Sequence, residues 1–325
     1  MTLADLENPT IRKPEHRFSG HQTFALRIAW LPKAVEAIAA DPNLLNNTLQ
    51  SVTRLGLGKN MVEALRCWLE AYGVATKGTN GWALTNEAAL ILNRPHGFDP
   101  FLEDPQTLWW LHWKISTLRV APFFAWDLMI NRWNEPSFSA SAVVESFARH
   151  AEQDDRVLSE VTMKQHFEVW LRTYCAPKGG RALEDGLDSP LAGLALVRQF
   201  GERETAGRRE HVYGFDLGRK RGVSQALFHY CLIDWWDARP DDEQTAPFHE
   251  VAHGSRSPGR VLRMPEGEVR ERLHLLGAIQ TSGFELHESL SQQQLRRTDS
   301  PLPDRLGALT AAYARGASLR SSSHD

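Results

Sequence analysis

A histidine, a glutamine and two basic residues lie near the amino end of the chain in a pattern that suits phosphate chemistry. His21 and Gln22 lie within residues 18–24, and Arg27 and Lys33 follow on a predicted amphipathic helix that carries Leu26, Trp30, Ala34 and Ile38. A histidine can act as a general acid or base near neutral pH, and helix amino termini attract phosphate. These four residues are therefore predicted to form a candidate catalytic set, suited to acid–base chemistry or to binding a phosphate oxygen. The alternative is a helix cap in which His21 only makes a structural hydrogen bond.

Three acidic residues, Asp99, Glu103 and Asp104, form a second candidate group. Carboxylates are the ligands that Mg²⁺ and Mn²⁺ prefer, so the three are predicted metal ligands and Asp99 is added to the catalytic set. In the alternative interpretation they cap the helix that begins near Pro105. The sequence has no zinc-ligand spacing, and residues 56–60 lack the spacing of a phosphate loop. We therefore expect Mg or Mn, no zinc and no nucleotide cofactor.

Residues 44–93 predict a helix, a tight glycine turn at Gly56, a second helix and a hairpin. The apolar residues of the second helix recur at helical spacing: Met61, Leu65, Trp68, Leu69 and Tyr72. This order is typical of a winged helix-turn-helix, whose second helix enters a DNA groove. Lys59 and Asn60 at its start and Lys77 in the hairpin are therefore predicted to contact DNA. A glycine turn beside a solvated lysine is the alternative.

Further basic residues follow a second predicted pair of helices. Residues 194–222 hold seven basic and four acidic side chains, a net charge of +3. A predicted wing there carries Arg208 and Arg209, and a cluster after it carries Arg219, Lys220 and Arg221. These five residues are predicted to contact DNA phosphates, whereas a surface loop with interspersed charges is the alternative.

The chain is predicted to be mainly α with small β wings, organised as two or three winged helix-turn-helix modules around an aromatic helical core. The predicted parts are a polar segment 1–17, a domain 18–135 with an aromatic helix pair, a second module 136–233, an acidic linker 234–250, a small winged-helix-like unit 251–297 and a flexible tail 298–325. In the last unit, residues 258–262 are predicted to form a strand. Tryptophans at 109, 110, 113, 126 and 133 are predicted to be core, with base stacking as the alternative.

The composition is that of an ordinary globular protein. The 325 residues carry a formal charge of −3, include 42% hydrophobic residues and only three cysteines, and contain no long apolar run. These values exclude a mainly disordered chain and a disulfide framework, and they predict a cytoplasmic protein without a membrane span. The charge is an average, since residues 234–250 hold six acids against one arginine. Local phosphate binding is therefore compatible with the net charge of −3.

Several motifs within residues 18–135 resemble one bacterial family. They are the FSGHQTF run at 18–24 with its following Leu26-Arg27 and Trp30-Leu31, the Gly58-Lys59-Asn60-Met61-Val62 segment, and Asp99-Pro100 with Leu102-Glu103-Asp104. The chain resembles the SspB-like family, formerly a domain of unknown function, which is encoded in DNA phosphorothioation and phage-defence islands.

This resemblance implies a role on DNA. SspB-like proteins are taken to nick one strand of duplex DNA so that sulfur can enter the backbone. The implied partners are a cysteine desulfurase, an ATPase and an ATP-pyrophosphatase-like sulfur-transfer protein. A non-catalytic DNA-binding adaptor that recruits these partners and a winged-helix transcriptional regulator are the alternatives.

Overall fold

The computed structural model describes residues 16–153, 156–175, 189–205, 207–279, 281–289, 292–298 and 304–320. The fold is mainly α-helical with small antiparallel sheets, as predicted. The helices are α1 Trp30–Ala40, α2 Thr48–Leu55, α3 Lys59–Ala71, α4 Asn86–Leu92, α5 Pro105–Thr117, α6 Phe124–Trp126, α7 Ala140–Gln153, α8 Glu160–Tyr174, α9 Gln225–Trp236, α10 Phe248–His253, α11 Pro258–Val261, α12 Glu266–Gly277 and α13 Arg305–Arg320. The strands are β1 Ala75–Gly78, β2 Gly81–Leu84, β3 Ser137–Phe138, β4 Val197–Thr205, β5 Arg208–Phe215, β6 Thr245–Pro247, β7 Phe284–Glu288 and β8 Gln293–Arg297.

The first helix begins later than the sequence predicts. Helix α1 starts at Trp30, whereas residues 18–29 are not helical. Gly20, Gln22 and Thr23 have positive φ angles of 106°, 47° and 64°, which no right-handed helix accommodates. His21 and Arg27 therefore lie in a loop that precedes the helix, and only Lys33 lies on α1.

The predicted order of helix, turn, helix and hairpin is present in residues 48–84. The side chain of Asn47 caps α2, and Gly56 ends it in the left-handed conformation at φ 65°, which glycine adopts without strain. Helix α3 follows after Gly58 and buries its apolar face, including Leu65 and Trp68. Strands β1 and β2 then pair as an antiparallel hairpin with Gly78 opposite Gly81.

The aromatic helix pair forms the centre of the core, as predicted. The five tryptophans at 109, 110, 113, 126 and 133 are all at most 9% exposed. Helix α6 continues without a break into a π-helical turn, Asp127–Arg132. A π turn leaves backbone carbonyls off the usual hydrogen-bond ladder, and such turns occur often at functional sites. Here two arginine side chains, Arg260 and Arg263, donate to those carbonyls.

The second half repeats the pattern of two helices and a hairpin. Helices α7 and α8 pack together, and β3, β5 and β4 form a sheet in that order. Strands β4 and β5 pair as a long antiparallel hairpin, from Val197 opposite Phe215 to Thr205 opposite Arg208. The distal part of this hairpin is exposed on β4 from Phe200 to Glu204.

Three predictions for the carboxyl-terminal third are wrong. Residues 258–262 form helix α11 rather than a strand, because Ser257 caps it and Pro258 occupies its first position. The acidic segment 234–250 is folded, with β6 paired to β8 and Asp234 bonded to Arg305 over 2.6 Å. The predicted tail contains α13, which packs against α9. Residues 299–303 and 321–325 lie outside the described part of the chain, as do 1–15 of the polar amino-terminal segment.

Within the described ranges, no helix has the length and apolar content needed to cross a membrane.

Candidate functional site

A strained turn lies at the centre of the candidate site. The backbone N–H of Phe24 donates to the carbonyl of His21 over 2.8 Å, so residues 21–24 form a tight turn with Gln22 and Thr23 at its two central positions. Both central residues have positive φ, the geometry of a type I′ turn, which normally takes asparagine or glycine. A β-branched threonine there costs on the order of 1–3 kcal/mol. Such strain persists only where the surroundings enforce it, which often marks a functional position.

Two buried histidines, His21 of the turn and His166 of α8, contact each other. His21 is 4% exposed, stacks on Trp68, and its Nε2 lies 3.0 Å from Nδ1 of His166. Nε2 of His166 accepts the backbone N–H of Ala125 over 3.0 Å. A neutral imidazole has one N–H, so one of the two rings donates to the other across this contact. The backbone N–H of Thr23 donates to Nδ1 of His21 over 3.2 Å.

Burial keeps both rings uncharged. Burial, followed by the charge of Arg172, lowers the pKa of His21 to about 4. Burial and the neighbouring His21 likewise lower the pKa of His166 well below its usual value. At neutral pH the His21 ring thus carries no charge, and its Nε2 is committed to His166. These contacts favour the structural alternative for His21, which positions the turn.

The turn forms one wall of an open groove with a volume of about 490 Å³, which we call the α3 groove. Its lining comes from three segments, namely the loop before α1 (Arg17, Ser19, Gly20, Gln22), helix α3 (Glu63, Arg66, Cys67, Glu70) and the β1–β2 hairpin (Lys77, Trp82). Gly20 is required here because a Cβ would lie 2.8 Å from Sγ of Cys67. The loop therefore lies directly against helix α3.

Polar contacts fix the groove walls. Gln22 Nε2 donates to Glu63 Oε2 over 3.0 Å, which ties the turn to α3. Arg17 lies over the Phe123 ring and points one guanidinium nitrogen at Sγ of Cys67. Arg66 donates to Thr48, while its Nε and second Nη are buried without a hydrogen-bond partner among the residues described.

The predicted DNA contacts of the first module are accessible. Lys59 and Asn60 are exposed in the first turn of α3, and Lys77 is exposed on β1. The structure thus brings Gln22, Lys59, Asn60 and Lys77 to α3, its hairpin and the adjoining turn. Lys33 instead donates from Nζ to the carbonyl of Leu55 over 3.2 Å, at the carboxyl end of α2.

The three acids do not form a metal site among the described residues, where no group of His, Cys, Asp or Glu could hold a metal ion. Asp99 is 3% exposed, and its two oxygens accept the backbone N–H groups of Glu103 and Asp104 over 2.8 and 3.0 Å. Asp104 in turn caps α5 through the N–H of Gln106. This geometry is that of the capping alternative, because each oxygen of the buried Asp99 carboxylate accepts a backbone N–H of the loop that leads into α5.

The later basic residues differ from one another. Arg209 and Arg221 are exposed, and Arg219 pairs with Glu271. The side chain of Arg208 lies outside the described part of the structure. The prediction for Lys220 is wrong, because its side chain is buried, and Nζ lies 2.9 Å from Asp216.

Sequence reasoning missed Arg17, Arg66 and His166 as parts of this site. His166 lies 145 residues from His21, so no local pattern could connect the two. Arg66 follows Lys59 by seven positions, which is two helical turns, and that spacing was a usable signal that both face one side of α3.

Fold and groove together define a mainly helical protein with small antiparallel sheets, in which α3 lines an open groove that holds three cations. The chain belongs to the family described as protein of unknown function (DUF4007), whose model matches residues 18–313. Two solved structures are similar over 93% of this chain and 89% of theirs: a magnesium ion-bound SspB crystal structure, 23% identical with a TM-score of 0.80, and an SspB crystal structure, 25% identical with a TM-score of 0.77. No curated protein matches the sequence.

Proposed function

We propose that this chain is the DNA-binding component of a phosphorothioation-related defence system and that duplex DNA contacts the α3 groove. The similarity to SspB structures and the family membership support the type of system. The partners expected from that likeness are a cysteine desulfurase, an ATPase and a sulfur-transfer protein, and the cytoplasm is the expected location.

The observation that carries the proposal is the set of cations around the strained turn. Lys59, Arg66 and Lys77 are presented by α3 and its hairpin, and Arg17 joins them from the loop. The order of these elements is that of a winged helix, in which the second helix enters the major groove and the wing contacts the backbone. Gln22 and Asn60 supply uncharged donors and acceptors for base edges or sugar.

The charge of the groove predicts moderate and salt-sensitive binding. The groove lining holds three cations, Arg17, Arg66 and Lys77, and two acids, Glu63 and Glu70, which leaves +1; Lys59 adds a fourth cation from the first turn of α3. If the four cations each neutralise one phosphate, the slope of log K against log salt is about −3.6, at about 0.9 per phosphate. Raising the salt from about 50 to 200 mM would then weaken binding on the order of 100-fold.

Fluorescence anisotropy with a labelled duplex tests this proposal. Lys59→Ala and Arg66→Gln should each weaken binding at low salt and reduce the salt slope by about one. Arg149→Gln is the matched control, since Arg149 is exposed on α7 and lies away from the lining of the groove. If the wild-type protein fails to bind duplex DNA at low salt, the proposed function is wrong.

Strand nicking is a second candidate activity, and the magnesium ion bound to one SspB structure favours testing it. The residues described in this chain do not fit a resident metal site, because the Asp99 carboxylate is buried with a backbone N–H on each oxygen and no group of His, Cys, Asp or Glu among them could hold a metal ion. We therefore assign no step to a metal ion. Gln22, exposed on the strained turn, is the residue of the predicted catalytic set that can contact DNA in the α3 groove.

An assay in which supercoiled plasmid is incubated with the pure protein and Mg²⁺ or Mn²⁺ distinguishes a nicking enzyme from a non-catalytic adaptor. Nicked circles that disappear in Gln22→Ala, with DNA binding retained, would support the nickase. His21→Ala is the companion variant, which we expect to lose nicking and stability together. Intact DNA binding without nicking favours the adaptor that recruits the sulfur-transfer proteins.

A further inference from the structure

An open cleft lies beside the turn that joins α2 to α3. It has a volume of about 780 Å³ and runs between α1 and the carboxyl end of α2, where Gly56 forms part of its lining. Ala37, Leu44 and Leu55 give it an apolar wall. A cleft of this volume and mixed polarity is large enough for a small organic group such as one nucleotide.

Two cations of the lining have donors available to a ligand. Lys33 uses one ammonium donor on the carbonyl of Leu55 over 3.2 Å, and an ammonium group has three. Arg54 is exposed in the last turn of α2. Glu36 and Asp41 balance these two charges, so the cleft suits a single phosphate group rather than a run of phosphates.

An exposed aromatic ring lies at the edge of this cleft. The guanidinium carbon of Arg94 lies 4.3 Å from the centroid of the Phe101 ring, and Nη1 of the same arginine lies 3.5 Å from Oε2 of Glu36. Arg94 therefore connects Phe101 to the cleft lining and covers one face of its ring. Phe101 nevertheless remains 51% exposed, which leaves ring surface for a ligand.

The loop that carries Phe101 holds the ring at the surface. The next residue, Leu102, is 3% exposed and has a positive φ of 61°. The carboxylate of Asp99 fixes the loop by accepting the backbone N–H groups of Glu103 and Asp104. Because the backbone and the Leu102 side chain are fixed in this way, the loop needs no ordering before a ligand can stack on Phe101.

We propose that this cleft binds an unpaired nucleotide of DNA, with the base stacked on Phe101 and a phosphate bound by Lys33 and Arg54. Aromatic rings beside cations are the usual means by which proteins hold a single strand, because every base has a face that can stack. An inorganic anion would use the cations alone, whereas a nucleotide uses the ring, the apolar wall and the cations together.

The cleft is close to the proposed duplex site. Gly56 of its lining precedes Lys59 by three residues, so their Cα atoms are at most about 11 Å apart. A strand that leaves the duplex near Lys59 can therefore enter the cleft. This inference rests on the proposed function and adds a binding site for an unpaired segment of the same DNA.

Fluorescence anisotropy of the full chain with labelled oligothymidylate, which cannot pair with itself, tests the site. Phe101→Ala should weaken binding on the order of tenfold, whereas Phe101→Tyr should bind as the wild type does. Phe101→Leu should behave like Phe101→Ala, because leucine is apolar but offers no ring to a base. Arg54→Gln should reduce the salt slope by about 0.7, the value for one single-strand phosphate.

Two controls accompany these variants. Phe200→Ala should leave oligothymidylate binding unchanged, since Phe200 is 67% exposed but lies on β4 rather than in the cleft lining. The Phe101 variants should keep the wild-type affinity for a labelled duplex and the wild-type midpoint of thermal unfolding.

The outcomes separate this inference from the proposed function. If Lys59→Ala weakens duplex binding but Phe101→Ala binds oligothymidylate as tightly as the wild type, or the wild type does not bind it, the nucleotide site is refuted and the function stands. If neither probe binds, both are refuted. If only oligothymidylate binds, and does so through Phe101, the duplex proposal is wrong and the site stands. If thymidine monophosphate binds through Phe101 while oligothymidylate does not, the cleft takes a free nucleotide, and its assignment to DNA is refuted.

Discussion

Acidification should destabilise this protein at pH values where most proteins are still stable, because its buried histidines must remain neutral. Burial lowers the pKa of both His21 and His112 from 6.5 to about 4, and His166 is shifted in the same direction. In the unfolded chain these rings take up a proton near their usual pKa. The unfolded state therefore binds more protons between pH 6.5 and 4, so stability is complete above pH 6.5 and is lost as the pH falls.

The size of the loss follows from the shifts. One pKa unit corresponds to about 1.4 kcal/mol, so at pH 5 His21 and His112 each cost about 2 kcal/mol. Together they remove about 4 kcal/mol, and His166 adds to this. Since domains are typically stable by about 5–15 kcal/mol, a loss of this size removes a large share of the total.

Urea unfolding followed by tryptophan fluorescence at pH 7, 6 and 5 measures this loss. His249→Gln is the control, because His249 is exposed and its removal should leave the pH profile unchanged. His112→Phe should be less stable at pH 7 but should lose about 2 kcal/mol less on going to pH 5. A change of less than about 1 kcal/mol between pH 7 and 5 in the wild type would refute the reasoning, since the rings would then accept protons in the folded state.

Two further predictions concern the loop residues. Asp99→Ala should lower the free energy of unfolding by roughly 2–5 kcal/mol, because two backbone N–H groups lose their acceptor, while duplex affinity stays at the wild-type value; a loss of DNA binding without a loss of stability would contradict its capping role. Thr23→Gly should relieve the left-handed strain and raise the free energy of unfolding by about 1 kcal/mol in urea, whereas Thr23→Ala should not; equal stability of the two variants would show that the turn is unstrained.

Patterns that repeat within one element were predictable from the sequence. The apolar spacing of α3, the glycine at the end of α2 and the aromatic content of α5 each determine a local structure, and these elements are present. The first module and its exposed Lys59, Asn60 and Lys77 follow from such patterns. They depend on interactions within a few residues, which a single sequence displays directly.

Other features depend on contacts between distant segments. Gln22 and Thr23 have no intrinsic preference for positive φ, and their conformation is imposed by the buried His21–His166 pair and by Glu63. The π turn after α6 likewise has no local signature, because its carbonyls are served by side chains more than 100 positions later. The residue type of Asp99 predicted a metal ligand, whereas in the structure its carboxylate accepts two backbone N–H groups of its own loop.

Arginines of the carboxyl-terminal third donate hydrogen bonds to the π turn in the first half of the chain, so these two parts of the chain depend on each other. Arg260 donates to the carbonyls of Ile130 and Trp133, and Arg263 donates to those of Met129 and Ile130. During synthesis the first half of the chain is made before either arginine. The carbonyls of this turn therefore gain their arginine hydrogen bonds only after the second half has been made.

The same dependence limits how the protein can be divided. A fragment that ends near residue 135 would contain the α3 groove but would leave those carbonyls without the arginines and Asp127 without Arg256. Its first two helices and hairpin would then pack on an incomplete core. A fragment intended to isolate this part of the chain therefore needs the segment 254–264 supplied, either in the same chain or as a complementing fragment.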